Sequence, residues 1–350
     1  MPQIYATLGP SCESKEILIS MLHEGLNGMR LNLSHASIAE SRKLIEMYAD
    51  SCRCLSLPFE LMIDLHGPEQ RTGSMKNISL SQNSSVILRP EALFMQDSSI
   101  PVSSEFLAAL ETNDHVLISD GIIELQIEQK LPPVPHIVKG SSKELSSFSC
   151  RVLRGGIAAS NQSIKIIGKE VLGPLLTEKD FINLDMAAEM GVTSVMQPFV
   201  QCGQDIVGLR SALESRKLHV KIFAKIESLS GVQNLASIID TADVVVIARG
   251  DLGNAVPLWE LPAIQKQIAS QCRSSGKPFM VVTQMLHSML HSPVPTRAEV
   301  LDIFNAVLDG ASYLMVTGET TVGEYPAQVI HYLKKTAFEA EKYIKNYGVF

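Results

Sequence analysis

Short apolar runs alternate with amphipathic stretches from the first residues of the chain. Gln3 to Leu8 reads as a strand, Ser14 to His23 as a helix and Gly28 to Leu33 as a second strand. The capping box Ser37-Ile38-Ala39-Glu40, in which each end residue can satisfy a backbone donor of the other, predicts the start of a second helix. Leu61-Met62-Ile63-Asp64 is the third strand. From Arg71 to about Gly173 the helical period disappears. Pro, Ser and Gly multiply there, and short alternating runs stand at Ser85 to Leu88, His115 to Ile118 and Ile122 to Ile127. The alternation resumes where Thr177 caps a helix with Asp180 at its third position. Strands follow at Thr193 to Met196, Val220 to Ile226, Val244 to Ala248, Pro278 to Val282 and Ser312 to Val316. The box Thr296-Arg297-Ala298-Glu299 opens the helix before the last strand, and a final helix runs from about Tyr325 to Tyr343. Three strands before the interruption and five after it predict an α/β fold, a closed (β/α)8 TIM barrel; periodicity alone leaves an open doubly wound sheet as the alternative. The barrel is expected over 1–70 and 174–350, with a small β-rich domain, 71–173, inserted after the third strand.

Length agrees with this division, because such a barrel takes ~250 residues and leaves about a hundred of the 350 for an insert. Hydrophobic residues make up 45% of the chain, enough for a large core, yet no apolar run approaches the ~20 residues that span a bilayer. Because a strand is expected to begin near Ile4, no secretory leader is expected. Cys12, Cys52, Cys54, Cys150, Cys202 and Cys272 lack CxxC spacing, which suits reduced thiols. A cytoplasmic protein without membrane contact is the expectation. The net charge of -7 and the lack of a basic run interleaved with aromatics argue against nucleic acid and for small-molecule chemistry.

Polar groups gather at the C-terminal ends of the predicted strands, where barrels of this class build their active sites. Arg30, Asn32 and Ser34 follow the second strand, Asp64 the third, Lys225 and Glu227 the fifth, Asp251 the sixth, Thr283 the seventh, and Thr317 with Glu319 the eighth. For any one of them a solvated strand end is the simpler reading. Together they are harder to dismiss. The alternation from His219 to Ile226 puts Lys225 and Glu227 on one face, and a glycine turn delivers Asp251 beyond the next strand. A lysine between two carboxylates suggests a divalent cation beside a phosphate: oxygen ligands for the metal, and a cation for the oxygens it leaves bare.

The motifs continue along the whole chain. They are Thr7-Leu8-Gly9-Pro10-Ser11, Met29-Arg30-Leu31-Asn32-Leu33-Ser34-His35, Gly67-Pro68-Glu69-Gln70-Arg71-Thr72-Gly73, Ser119-Asp120-Gly121, Lys225-Ile226-Glu227 and Ala248-Arg249-Gly250-Asp251-Leu252-Gly253. Thr283-Gln284-Met285-Leu286, Pro295-Thr296-Arg297-Ala298-Glu299, Asn305-Ala306-Val307-Leu308-Asp309-Gly310 and Gly318-Glu319-Thr320 complete them. In this order they resemble pyruvate kinase, covering the family's barrel and its inserted β-barrel-like lid domain but not its C-terminal regulatory domain. The resemblance implies a phosphotransferase that moves the phosphoryl group of phosphoenolpyruvate to ADP, giving pyruvate and ATP. Lys225 would meet the phosphoryl group and steady the enolate, with Mg2+ (or Mn2+) on Glu227 and Asp251. Gly250 and Asp251 would receive the substrate carboxylate at a helix start, and Arg30 would grip phosphate oxygens. Thr283 lies where the family protonates the enol. Arg71, Asn32 and His66 fall on the nucleotide side, with Asp120 closing over the phosphates from the lid. A K+ site corresponds to Asn32, Ser34, Asp64 and the carbonyl of Leu65, and Glu69 goes with potassium dependence.

Several positions depart from the family pattern. His66 replaces a lysine near the nucleotide, Leu65 a threonine, Ser119 an acid and Thr317 a serine. Gln197-Pro198 replaces a small residue and a serine, and Gln197 is expected to border the substrate pocket. With no counterpart of the C-terminal domain, sugar-phosphate allostery is not expected. A homodimer through the barrel, near Pro295 to Glu299, is expected over a tetramer, and Val349-Phe350 is expected to help mask an apolar face. Two other readings use the same residues. One is a lyase or transferase acting on another oxo acid, suggested by Gln197 and His66; the other is a non-catalytic paralogue that binds a metabolite.

Overall fold

The structure is a computed structural model that describes residues 1–94, 97–119, 121–138, 141–169, 171 and 174–348. The chain divides into two compact units, Met1–Gly67 with Leu175–Phe350, and Pro68–Pro174. Asp120, expected over the nucleotide, and Val349-Phe350 lie outside the described residues.

The first unit is a closed barrel of eight parallel strands: β1 (Gln3–Thr7), β2 (Gly28–Asn32), β3 (Leu61–Asp64), β4 (Ser194–Gln197), β5 (Lys221–Ile226), β6 (Val244–Ala248), β7 (Phe279–Val282) and β8 (Tyr313–Met315). Each pairs with its neighbours in sequence, and β8 closes on β1. Closure rules out the open sheet that the apolar pattern had left possible. Side chains alternate across every strand. Ile222, Ala224 and Ile226 of β5 join the layer between strands and helices, while Phe223 points into the barrel. Tyr5, Met62, Met196, Phe223, Val244, Val246, Met280 and Tyr313 are among the residues filling that interior.

The lower barrel is plugged by aromatic rings. Tyr313 meets Tyr5 and Phe223 edge-on at centroid distances of 5.9 and 5.2 Å, contacts worth about 0.5–1.5 kcal/mol each beyond their burial. Gly28 makes room for this packing, because a Cβ there would lie 2.4 Å from the Tyr5 ring. Above the plug the inward positions of β1, β2, β3 and β5 turn polar, with Thr7, Arg30, Asp64 and Lys225. Those of β6, β7 and β8 stay apolar through Ala248, Val282 and Met315.

Two of the predicted capping boxes start helices. Thr177 accepts from the amide of Asp180 at the start of Glu178–Ala187, and Thr296 from that of Glu299 at the start of Arg297–Leu308. The box at Ser37 forms too, with the amides of Ser37 and Glu40 each bonded to the other's side chain. It closes only a single turn, however. Regular helix begins at Arg42, because Ser41 sits at φ −90°, ψ 1°, off the helical path. The last helix, Pro326–Tyr347, runs four residues past its expected end. No helix among the described residues is long and apolar enough to cross a membrane.

The second unit has its own core, which includes Leu88, Ile100, Phe106, Val116, Ile118, Leu125, Phe148 and Val152. Its main sheet runs in the order Ile164–Ile166, His115–Ile118, Ile123–Lys130, Phe148–Arg154, Ser85–Pro90, Ile100–Val102. Among the described residues this sheet is open. Its edges are three-residue strands that do not pair with each other.

Candidate active site

The polar inward positions meet at the C-terminal end of the barrel. Arg30 donates to Asp64 Oδ2 through Nε (2.9 Å) and Nη2 (2.6 Å), and through Nη1 to Thr7 Oγ1 (3.2 Å). Lys225 Nζ stands 2.9 Å from Glu227 Oε1 and 3.4 Å from Asp64 Oδ2. Glu227 Oε2 accepts the amide of Phe199 at 2.9 Å. Arg30, Asp64 and Glu227 are buried. Charges removed from water to this degree persist only when paired; here Lys225 lies between two carboxylates, and Arg30 between the Asp64 carboxylate and the Thr7 hydroxyl.

The pairing is not balanced. Arg30 and Lys225 bring two positive charges, whereas Asp64, Glu227 and Asp251, all felt at Lys225, bring three negative ones. Burial pushes the Glu227 carboxyl up to about 7, against the pull of Lys225 and with Asp251 and Asp64 adding to the rise. Burial also presses on the Lys225 ammonium. Asp64 and Glu227, with Asp251, outweigh that and Arg30, so Lys225 sits above its usual range. Both directions have one cause, an excess of acid in a space with little water. A cation near Glu227 and Asp251 would relieve it.

A second acceptor points the same way. Asp64 Oδ1 is buried without a hydrogen-bond partner among the described residues, which is costly for a carboxylate unless an ion or water completes it. Asn32 faces Asp64 across the β2–β3 register, and Ser34 follows in a turn where Asn32 Oδ1 accepts its amide at 3.2 Å. Leu65 is buried beside them in sequence. This donor set is all oxygen, as a hard cation requires.

Strand ends hold the remaining expected residues. Gly250 and Asp251 lie in the first turn of the helix Arg249–Ala255, directly after β6. The Thr283 side chain lies over this turn, so that a Cβ at Gly250 would be 3.2 Å from Thr283 Cγ2. His66 is half-buried; its amide donates to Asp180 Oδ1 at 2.7 Å and its Nδ1 lies 3.1 Å from Gly67 O. Arg71 belongs to the second unit, where Nε and Nη2 donate to Glu69 Oε2 at 3.0 and 2.6 Å and Nη1 to Asn161 O at 2.7 Å.

Gln197 is not where the sequence placed it. Met196 fills the barrel interior, so Gln197 points to the opposite face, where it is fully buried and donates through Nε2 to Asp205 O at 3.2 Å, on the helix Gly203–Glu214. Its Oε1 has no partner among the described residues. Gln197→Leu removes one weak bond and one unsatisfied acceptor together, so stability is expected to change by less than about 1 kcal/mol. The Michaelis constants should not move. A shift in substrate affinity, measured by titration, would return Gln197 to the pocket wall.

Some contributors had no legible role in the sequence. Thr7 lies two residues beyond Tyr5 on the inward face, a spacing that could have flagged it. Asp180 caps its helix and also accepts the amides of His66 and Gly67, fixing the chain as it leaves β3. Phe199 at φ 51° turns its amide to Glu227, a backbone state that its residue type does not announce.

Comparison with known proteins adds what geometry cannot. The sequence model for "Pyruvate kinase, barrel domain" matches residues 2–330. The chain belongs to the pyruvate kinase family. It is 31% identical over 348 residues to the pyruvate kinase of Geobacillus stearothermophilus, covering 98% of this chain and 57% of that protein. To the pyruvate kinase of Staphylococcus aureus strain USA300 it is 32% identical over 342 residues, covering 97% of this chain and 57% of the relative. It therefore spans little more than half the length of the pyruvate kinases it matches. Among the described residues no three His, Cys, Asp or Glu side chains converge on one point.

Proposed function

We propose that the chain transfers the phosphoryl group of phosphoenolpyruvate to ADP, forming pyruvate and ATP, with Mg2+ or Mn2+ and with K+. The observation that carries this reading is Lys225 held between Asp64 and Glu227 at the barrel mouth, in a cluster with one carboxylate too many. Glu227 and Asp251 would hold the divalent ion, which when bound neutralises charge on the phosphoryl oxygens. Lys225 meets the phosphoryl group from the protein side and then the enolate oxygen, where a fixed cation counts for more than it would in water. Arg30 offers its fork to phosphate oxygens while Asp64 and Thr7 keep it aimed. The start of the helix at Gly250 and Asp251 receives the substrate carboxylate, and the hydroxyl of Thr283, lying over Gly250, passes a proton through water to the enolate carbon. Asn32, Ser34, Asp64 and the Leu65 carbonyl would take K+, giving the bare Asp64 Oδ1 a partner. Asn32 and His66 would face the nucleotide.

The test is direct. Purified protein given phosphoenolpyruvate, ADP, Mg2+ and K+ is expected to form pyruvate, followed against a preparation carrying Lys225→Met. Pyruvate no faster than in that preparation would remove the reading. Replacing K+ by tetramethylammonium is expected to lower the rate at least tenfold, on the order of one charge-assisted contact; equal rates would detach Asn32, Ser34 and Asp64 from any ion.

A further inference from the structure

We propose that Arg249 is a positioning residue for Thr283: its guanidinium binds no ligand and instead holds the exit of β7 in the left-handed turn that lays the threonine over Gly250. The catalytic consequence rests on the proton-transfer role given to Thr283 above, while the geometric claim does not.

Thr283 and Gln284 both have positive φ, 81° and 53°. A β-branched residue there is an outlier, because its Cβ crowds the backbone, and such states persist only where the surroundings impose them. Arg249 acts on the strained residue itself. Its Nε and Nη2 donate to Thr283 O at 3.1 and 2.7 Å. Nη1 reaches both carboxylate oxygens of Asp302, at 2.8 and 2.7 Å, and Nη2 also lies 2.9 Å from Met285 Sδ. A guanidinium has five N–H groups, and five contacts account for them. Nothing is left over for a phosphate. The side chain is only 12% exposed, so it serves as a brace rather than an anion site.

Neighbouring contacts secure the rest of the loop. Glu319 accepts the amides of Leu286 (3.2 Å) and Thr317 (2.8 Å), and Glu299 accepts that of Ser288 (2.7 Å). These hold the loop beyond the strained pair, whereas Arg249 holds its first residue. Arg249 also directly precedes Gly250 and Asp251. One side chain therefore couples the turn after β6 to the threonine after β7, and a different backbone at Thr283 would swing its hydroxyl away from that turn.

The experiment compares wild type, Arg249→Met, Arg249→Lys and Asp302→Asn. Threonine labelled with 13C and 15N reports the Thr283 backbone through its Cα and Cβ resonances, assigned by their loss in Thr283→Ser. Arg249→Met is expected to move these resonances out of the left-handed range. Arg249→Lys, which can still donate to Thr283 O, should restore part of the shift. Turnover, and exchange of the pyruvate methyl protons with deuterated water, should fall about 10²-fold in Arg249→Met, the loss typical of a misplaced group. The Michaelis constant for phosphoenolpyruvate should change less than about threefold, because binding is not what is lost. Unmoved Thr283 resonances would overturn the proposal, as would a rise in the Michaelis constant that accounts for the lost efficiency. Should Arg249→Met fail to fold, Asp302→Asn, which frees the guanidinium from its far side, carries the same readouts. If wild type forms no pyruvate, the reaction reading fails and the Thr283 resonances still decide the role of Arg249.

Discussion

Lys225→Met is expected to lower the turnover of phosphoenolpyruvate by about 10³-fold, the upper end of what removing one preorganised electrostatic donor costs. Methionine keeps the length and the apolar stem and deletes the charge. The loss should fall on turnover more than on the Michaelis constant, since Arg30 still offers its fork to the phosphate. A fall of less than tenfold would mean that Lys225 meets no developing charge. The fold should survive because Glu227 has an escape. Its carboxyl is already pushed up to about 7, and without the lysine beside it protonation becomes easier still. The sign of the pH dependence follows. A carboxyl raised in the folded state gives stability that is present at low pH and lost as the pH climbs through its folded value. Without metal, the variant should therefore hold at pH 6 and weaken relative to wild type above neutrality, as thermal unfolding at the two pH values would report.

Asp64→Asn is the larger test of stability. One carboxylate oxygen takes two bonds from Arg30 and the approach of Lys225, in a place where Arg30 is 8% and Asp64 1% exposed. Asparagine fits the space but takes the one counter-charge from buried Arg30 and one of two from the partly buried Lys225. Breaking a buried pair from one side costs about 3–5 kcal/mol. The exposed pair of Arg42 with Glu189 should give at most about 1 kcal/mol when broken. Urea unfolding of both variants measures the contrast. Combining Asp64→Asn with Arg30→Met should recover part of the loss, since the stranded cation is then gone. An Asp64→Asn protein within about 1 kcal/mol of wild type would show that solvent reaches this cluster.

How much of this was legible in the chain depends on the distance over which each feature is determined. Two-residue alternation placed Lys225 and Glu227 on one face because a strand obeys that period locally. The eight-strand count worked for the same reason. Gln197 failed because the face it occupies depends on which side of Met196 is inside, a matter of register with β3 and β5. The box at Ser37 formed as its residues predict, yet Ser41 then left the helical path, and no local pattern warns of that. Arg249 stayed silent for the opposite reason. Its sequence neighbours are the glycine and aspartate expected in the site, but its partners, Thr283, Met285 and Asp302, lie 34 to 53 positions along the chain. Pairing between strands decides such contacts, and a single sequence does not display it.

The aromatic plug made by Tyr5, Phe223 and Tyr313 has a consequence for traffic. With its floor stopped by three rings, the barrel is a vessel with one mouth rather than a tunnel. In the proposed reaction a spent product would leave by the opening through which the next substrate arrives, so the two would compete for the same doorway. Under the proposed reaction, pyruvate at high concentration would slow entry of phosphoenolpyruvate even if it bound weakly.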